Sequence, residues 1–335
     1  MAKLIECVPN FSEGQSPEII EAIADAVREV AHVKLLDIDA GFHANRTVYT
    51  LAGEPHAVCE AAFRMLKVAA NNIDMRHQTG KHPRIGAMDV CPLVPIADIE
   101  MDEVIELSKK LGKRISDELN IPVYLYENSA TVSERRNLAW LRSGEYEKLK
   151  NKLKAPNFVP DFGNAVFNAQ SGIAIVGARD FLIAYNINLD TKDVAIAQRI
   201  AEEIRESGKN GVAGKLKYVK AIGWYIKEFD KVQISMNLTN YMATPVWKVF
   251  EEVHILASQY DVKVTGSELV GMIPLKAIAA CGEFFLKKNG QHHHIPNNRL
   301  VMYAIKYLGL DEVKPFDYQK KIIEFALADT LEIQQ

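Results

Sequence analysis

The chain has 335 residues, of which 48% are hydrophobic and 25% charged, and its formal net charge is −3 at pH 7. This balance is typical of a folded globular protein, and without a basic excess we expect no nucleic-acid partner. No apolar run reaches the ~18 residues of a membrane span and no secretory signal is recognisable, so we expect a cytoplasmic protein without a membrane partner. Four scattered cysteines without a Cys-x-x-Cys pair predict reduced, structural thiols.

The first elements predict a βαββαβ unit. Ser16 followed by Pro17 supplies a helix N-cap and a first-turn proline, and Pro55 opens a second helical pattern. The strand patterns around these helices lie at residues 4–8, 33–39, 46–51 and 88–94. The polar segment from Asp74 to Gly86 resists regular assignment, and long irregular connections of this kind often carry function.

The next region extends this unit and leads to a domain boundary. It contains a predicted helix from about Asp102 to Leu119, a strand from Val123 to Tyr126 and a charged helix from Ser133 to Leu153. A loop rich in Pro, Asn and Gly follows. We therefore expect domains at residues 1–178 and 179–330.

The second half repeats the same rhythm. Its predicted elements are a strand at 181–189, a helix at 194–206, strands at 216–224 and 232–238, a helix at 245–260 and a strand at 262–264. Three further helices are predicted at 275–286, 298–308 and 318–327, where they would cover the second sheet. The fold class is therefore α+β, with two related βαββαβ, ferredoxin-like subdomains and C-terminal helices.

His82 is the first candidate for acid–base chemistry. It lies near Lys81 and Arg84 in a segment bounded by glycine and proline. Nearby cations favour the neutral imidazole, which can accept a proton near neutral pH and return it later. The alternative is an ordinary loop histidine at the surface.

Asp37 and Asp39 end a strand two residues apart, which places both on one face of a sheet. Asp39 could orient a histidine or a substrate amine, or it could accept backbone hydrogen bonds in the turn. Arg46, just beyond the turn, could neutralise it.

Amide side chains recur at two further places. The loop from Phe162 to Gly172 combines small and amide residues with two phenylalanines, which suits a flat heteroaromatic ring, although a plain linker is equally consistent. Asn186, Asn188 and Asn237 lie on otherwise apolar strands. Buried amides need hydrogen-bond partners, and a ligand could supply them.

Two other signals are rejected. Residues 208–215 fail the spacing of a phosphate-binding P-loop, and Leu216 replaces the required Ser or Thr. His292, His293 and His294 are consecutive and would point in different directions in a helix or strand, so we expect no metal.

Three strings of sequence resemble the formiminotransferase family: Cys7 to Gly14, Asn45 to Thr50 and His82 to Pro92. The likeness continues to about residue 330. It implies two subdomains with a folate cleft between them, tetrahydrofolate as co-substrate, a homodimer, and a stand-alone transferase without the cyclodeaminase domain of bifunctional relatives. The sequence departs from the family's pattern at residues 41–44 and inside the loop 164–171, which concerns substrate preference.

The resemblance also assigns roles to residues. The catalytic histidine falls on His82, and the folate-binding loop falls on Gly163, Asn164, Ala165, Val166, Phe167, Asn168, Ala169, Gln170, Ser171 and Gly172. Beyond the resemblance, our mechanistic hypothesis is that Asp39 supports His82, that Asn10, Arg46 and Arg84 bind substrate, and that folate contacts Asn188 and Asn237.

The implied reaction moves a formimino group between N-formimino-L-glutamate and tetrahydrofolate, possibly polyglutamylated, in histidine degradation and one-carbon metabolism. Two alternatives stay open, which are a glutamate formyltransferase that uses 5-formyltetrahydrofolate and a non-catalytic folate sensor. Activity with each donor, or tight binding without turnover, would separate them.

Overall fold

The computed structural model describes residues 3–290 and 295–332, and the chain divides into two compact units, Met1–Asp180 and Phe181–Gln335. The predicted histidine run 292–294 lies outside the described residues. The strands of the first unit are β1 (Leu4–Cys7), β2 (Asn10–Phe11), β3 (Val33–Gly41), β4 (Arg46–Gly53), β5 (Met88–Ala97), β6 (Val123–Glu127) and β7 (Ala174–Ala178). Its helices are α1 (Pro17–Arg28), α2 (Pro55–Asn72), α3 (Met101–Leu119), α4 (Leu138–Arg142) and α5 (Glu145–Lys152).

The second unit contains four strands followed by helices. The strands are β8 (Ile183–Leu189), β9 (Val219–Ile226), β10 (Lys231–Leu238) and β11 (Val264–Val270). The helices are α6 (Val194–Ile204), α7 (Val246–Gln259), α8 (Leu275–Lys288), α9 (Asn297–Leu308), α10 (Tyr318–Lys321) and α11 (Ile323–Glu332). Within residues 3–290 and 295–332, no helix is both long enough and apolar enough to cross a membrane.

Both units contain a βαββαβ core with the same strand order. In the second unit the antiparallel sheet runs β11-β8-β10-β9, so the fourth strand lies beside the first and the third beside the second. In the first unit, β5, β1, β4 and β3 pair antiparallel in the corresponding order. This agrees with the predicted α+β fold of two related units.

The first sheet is larger than the repeat predicts. The short strand β2 pairs with β4 and β5, and β7 pairs in parallel with both β5 and β6. We did not predict β7, because its five residues follow a Gly- and Asn-rich loop and resemble part of that linker. Its parallel neighbours and complete burial supply the strand environment that the local sequence lacks.

The charged helix predicted from Ser133 to Leu153 is wrong as a single element. A 3₁₀ turn at Ser133–Arg136 is followed by α4 and then by α5. The Asn137 side chain accepts the Ala139 N–H and starts α4, while Gly144 at φ 81° starts α5. Two starts inside one charged stretch divide the helix.

Two boundaries in the second unit also differ from the prediction. β11 lies at 264–270 rather than 262–264, because the bulge before Gly266 interrupts the alternating pattern. The last predicted helix is divided at Ile322, whose backbone is extended at φ −101° and which bridges Ile273.

Three apolar clusters form the cores, two within the first unit and one within the second. In the first unit, α1, α2 and α3 pack on one face of the sheet, and the α4–α5 segment covers β5, β6 and β7 on the other. In the second, α6 to α9 pack with the apolar face of the sheet. The four cysteines are free thiols, and Cys7, Cys91 and Cys281 are buried. The remaining sheet surfaces carry the polar side chains described next.

Candidate active site

The segment that carries His82 is held in place by Asn45. Gln78 donates to the Asn45 carbonyl at 2.8 Å, and the Asn45 side chain donates to the Thr79 carbonyl at 2.7 Å. A Cβ atom at Gly80 would lie 2.3 Å from the Ala44 carbonyl oxygen, so only glycine permits this approach. An irregular segment is thus fixed on the end of a β-hairpin.

The same segment is joined to the predicted folate loop. Gly86 bridges Gly172, and the Ala87 N–H donates to the Ser171 carbonyl at 2.9 Å. A Cβ atom at Gly86 would lie 1.9 Å from the Ile173 carbonyl oxygen, which requires glycine here as well. The structure therefore brings together two regions that are far apart in sequence.

A buried ionic cluster lies beside His82. Asp89 is fully buried, and its Oδ2 accepts from Arg46 Nη1 at 2.6 Å and from Arg142 Nη2. Its Oδ1 accepts the Ile85 N–H at 3.0 Å, which ties the cluster to the His82 segment. Asn10 holds the other edge of Arg46, accepting from Nε at 3.1 Å and Nη2 at 2.7 Å.

These charges set the protonation of the cluster. Burial lowers the pKa of Arg46 to about 10, although Asp89 opposes that shift. Burial would raise the pKa of Asp89, but Arg142 and Arg46 outweigh it and the pKa is lowered. The cluster at neutral pH therefore contains two cations and one anion.

His82 is neutral at physiological pH. Burial lowers its pKa well below the usual range, and the positive charges of Arg46 and Arg142 lower it further, against Asp89. The ring Nδ1 lies 2.8 Å from the Pro83 carbonyl oxygen, which can only accept, so Nδ1 carries the hydrogen. The basic lone pair is therefore on Nε2, as a proton shuttle requires.

Arg84, predicted to bind substrate, is occupied by protein groups. Its Nε and Nη2 donate to Gln78, and Nη1 and Nη2 donate to Glu145 and Glu147. These contacts use all five N–H groups of the guanidinium, and the side chain is 7% exposed. The geometry favours a role in anchoring the His82 segment to α5.

Asp39 is half-buried and lies on the same sheet face as Arg46. It pairs with Val48, two residues from Arg46 along β4, and Asp37 shares that face through its pairing with Thr50. The carboxylate whose charge acts on His82 is Asp89. Support of His82 by Asp39 stays a prediction.

The loop 163–172 is exposed at its start and anchored at its end. Gly163 to Val166 are exposed, whereas Ser171 and Gly172 are buried. The Tyr146 hydroxyl donates to the Ala169 carbonyl, its ring packs on Phe167 at 5.6 Å, and Gln170 donates to the Ala70 carbonyl at 2.8 Å. The exposed part offers backbone and amide groups to a ligand.

The amides of the second unit form a network of their own. Asn188 is fully buried, donates to Glu312 at 2.5 Å and accepts from Gln233 at 2.8 Å. Asn186 donates to Glu268 at 3.1 Å. Asn188 therefore has protein partners for its amide and needs no ligand to satisfy it. Asn237, in contrast, is exposed.

Sequence reasoning missed Asp89 and Arg142. Asp89 is a charged residue inside an otherwise apolar strand, which is a usable signal, because buried carboxylates occur where a partner or a function retains them. Arg142 gave no such signal, since it was hidden in a stretch interpreted as one solvated helix. Its place depends on the break at Gly144.

Comparison with known families matches nearly the whole chain. A formiminotransferase domain, N-terminal subdomain, matches residues 4–179, and a formiminotransferase domain matches residues 184–328. Both units of this α+β protein therefore match the same family. The chain belongs to the formiminotransferase family.

Named relatives agree with this assignment. The chain is 40% identical to the glutamate formimidoyltransferase of Streptococcus pyogenes serotype M1, over 97% of this chain and 98% of that protein. It is 43% identical to the glutamate formimidoyltransferase of Thermoplasma acidophilum, over 86% of this chain and 93% of that protein. The formimidoyltransferase-cyclodeaminase of Dictyostelium discoideum is 45% identical over all of this chain, which spans 62% of that protein.

Proposed function

We propose that this protein is a glutamate formimidoyltransferase that moves the formimino group between N-formimino-L-glutamate and tetrahydrofolate. The observation that carries the proposal is a neutral His82, with its lone pair on Nε2, beside a cluster of two arginines and one aspartate. The names of the Streptococcus and Thermoplasma relatives support the same reaction.

The chemistry needs a proton shuttle and little else. The N5 amine of tetrahydrofolate attacks the formimino carbon and forms a tetrahedral intermediate with a new C–N bond. His82 Nε2 accepts the proton that N5 releases and returns it to the glutamate nitrogen, whose bond to carbon then breaks. The products are 5-formimidoyltetrahydrofolate and L-glutamate.

The loop 163–172 supports binding of the folate. Its buried end is joined to the segment that carries His82 through the bridge between Gly86 and Gly172, which ties the predicted folate loop to that segment. Asn164 offers an exposed amide group for the polar edge of a pterin, whereas the amide nitrogens of Asn168 and Gln170 already donate to the Asn120 and Ala70 carbonyls. Exposed Asn237 is a separate candidate. No metal is part of this mechanism.

The test is turnover with defined donors. Purified protein is mixed with tetrahydrofolate and N-formimino-L-glutamate, and the formimino-folate is followed by absorbance after acid cyclisation, with His82→Ala as control. Turnover by the wild type and its loss in the variant are expected. Turnover that occurs only with 5-formyltetrahydrofolate and glutamate would assign a formyltransferase. Stoichiometric folate binding without turnover would assign a sensor.

The proposal extends to a cytoplasmic homodimer that accepts polyglutamylated folate, as the family resemblance implies. Light scattering on the eluted protein measures the oligomeric state, and KM values for mono- and triglutamyl tetrahydrofolate measure the tail preference. A monomer would contradict the homodimer, and equal KM values would contradict a preference for the polyglutamyl tail.

A further inference from the structure

Arg142 shares the buried carboxylate of Asp89 with Arg46. Both guanidinium groups bond the same Oδ2, and the exposed fractions of their side chains are 14% for Arg142 and 10% for Arg46. One carboxylate neutralises one of two cations, so these three residues keep a surplus positive charge in a poorly solvated place. Such a surplus is costly unless an anion balances it.

Arg142 also retains hydrogen-bonding capacity. Its Nε is buried and has no partner within the described residues. A buried donor without an acceptor is uncommon in a native protein, and here it accompanies the surplus positive charge around Asp89. Arg84, in contrast, has every N–H donor bonded to protein.

We propose that Arg142, together with Arg46, binds the α-carboxylate of the amino-acid substrate, glutamate or its N-formimino derivative. The inference rests on the proposed function and makes Arg142, rather than Arg84, the second cation for this group. A planar guanidinium matches a carboxylate in a two-pronged geometry that lysine does not reproduce.

Position favours the amino acid over the folate tail as the source of the carboxylate. In glutamate the α-carboxylate and the reacting nitrogen are attached to the same carbon, so the group that binds it must lie beside the proton shuttle. Arg142 meets this condition, because Asp89, which accepts its hydrogen bond, also accepts the N–H of Ile85, three residues from His82. The tail carboxylates of folate lie beyond its aminobenzoyl ring, far from N5.

Arg135 provides a matched control. It lies in the same unit, forms a buried ion pair with Asp161, and has a buried Nε without a partner in the described part of the chain. Unlike the charge of Arg142, the charge of Arg135 is not among those that act on His82. A kinetic effect that comes only from weakening a buried arginine should therefore occur on substitution of either Arg142 or Arg135.

The experiment compares Arg142→Gln and Arg142→Lys with Arg135→Lys in steady-state kinetics and in calorimetric titration with L-glutamate. Arg142→Gln should raise the KM for N-formimino-L-glutamate about 10- to 100-fold and leave the KM for tetrahydrofolate within about twofold. Arg142→Lys should recover only part of that loss, and Arg135→Lys should change neither KM.

Other results would overturn the inference. A rise confined to the KM for tetrahydrofolate would assign the carboxylate to the folate tail, and full recovery in Arg142→Lys would reduce Arg142 to a counter-ion of Asp89. Equal losses in the Arg135 control would indicate a structural effect. If the wild type does not turn over, glutamate binding that Arg142→Gln abolishes would uphold Arg142 while the proposed function fails, and no binding to the wild type would reject both.

Discussion

Each unit has a buried polar network on one face of its sheet, and the two networks differ in how fully they are satisfied. In the second unit, Asn188, Gln233 and Glu312 donate and accept among themselves. In the first, Arg46 and Arg142 share Asp89, and Arg142 Nε has no partner in the described residues. A network that satisfies itself stabilises the fold, whereas one with surplus charge is the kind of site that we propose for an anionic ligand.

The largest expected effect concerns His82, which lies beside the buried network of the first unit. His82→Ala should lower kcat by about 10²- to 10⁴-fold, because it removes the proton shuttle that we propose. Folate affinity and melting temperature should stay near the wild-type values, since the ring is neutral and its Nδ1 bonds a neighbouring backbone carbonyl, that of Pro83. Stopped assays with saturating substrates measure kcat, and wild-type turnover in the variant would take His82 out of the mechanism.

Asp89→Asn should cost stability as well as activity. It leaves Arg46 and Arg142 buried without a carboxylate, and loss of one partner of a buried ion pair costs about 3–5 kcal/mol. Urea unfolding followed by circular dichroism measures the shift in midpoint. Asp161→Asn, which unpairs buried Arg135, is the control for stability and should leave His82 chemistry intact. An unchanged midpoint in Asp89→Asn would mean that the cluster is not electrostatically coupled.

Glu6 should make the first unit sensitive to pH. Its side chain is 1% exposed, Oε2 has no partner among the described residues, and burial raises its pKa to about 7, against Arg179. Because the folded state holds the proton more tightly than the unfolded state, this group costs stability as the pH rises from 4.5 to about 7.

Glu6→Gln removes this titration. The variant should gain roughly 2 kcal/mol more at pH 8 than at pH 5, relative to the wild type. Melting temperatures of both proteins at the two pH values measure the difference. Equal shifts at pH 5 and pH 8 would show that burial does not raise the pKa of Glu6 into this range.

The smallest expected effects distinguish the structural role of Asn188 from the proposed folate contact of Asn237. Asn188→Ala should cost about 1–3 kcal/mol of stability, because Gln233 and Glu312 lose a buried partner, with little change in the KM for tetrahydrofolate. Asn237→Ala should cost less than about 0.5 kcal/mol, because the side chain is exposed. A raised KM only in Asn237→Ala would make it the folate contact, and a raised KM in Asn188→Ala would show that its network opens to ligand.

Local patterns predicted the repeated units well. The N-cap at Ser16, where the side chain accepts the Ile19 N–H, and the first-turn prolines at Pro17 and Pro55 begin helices where expected. Such signals act within a few residues and depend little on the rest of the fold. They failed for β7, whose strand conformation comes from parallel neighbours, and for the helix predicted from Ser133 to Leu153.

The sequence by itself determined the fold class and the irregular segment around His82, and it made that histidine the first candidate, because turn residues and adjacent cations are local features. Only the tertiary structure decided which arginine is available to a ligand. Arg84 lies beside His82 in sequence but is bonded to α5, whereas Arg142, 60 residues away, reaches Asp89 because the chain breaks between α4 and α5. Partners of a buried charge come from whatever elements the fold packs around it, and no local pattern encodes that choice.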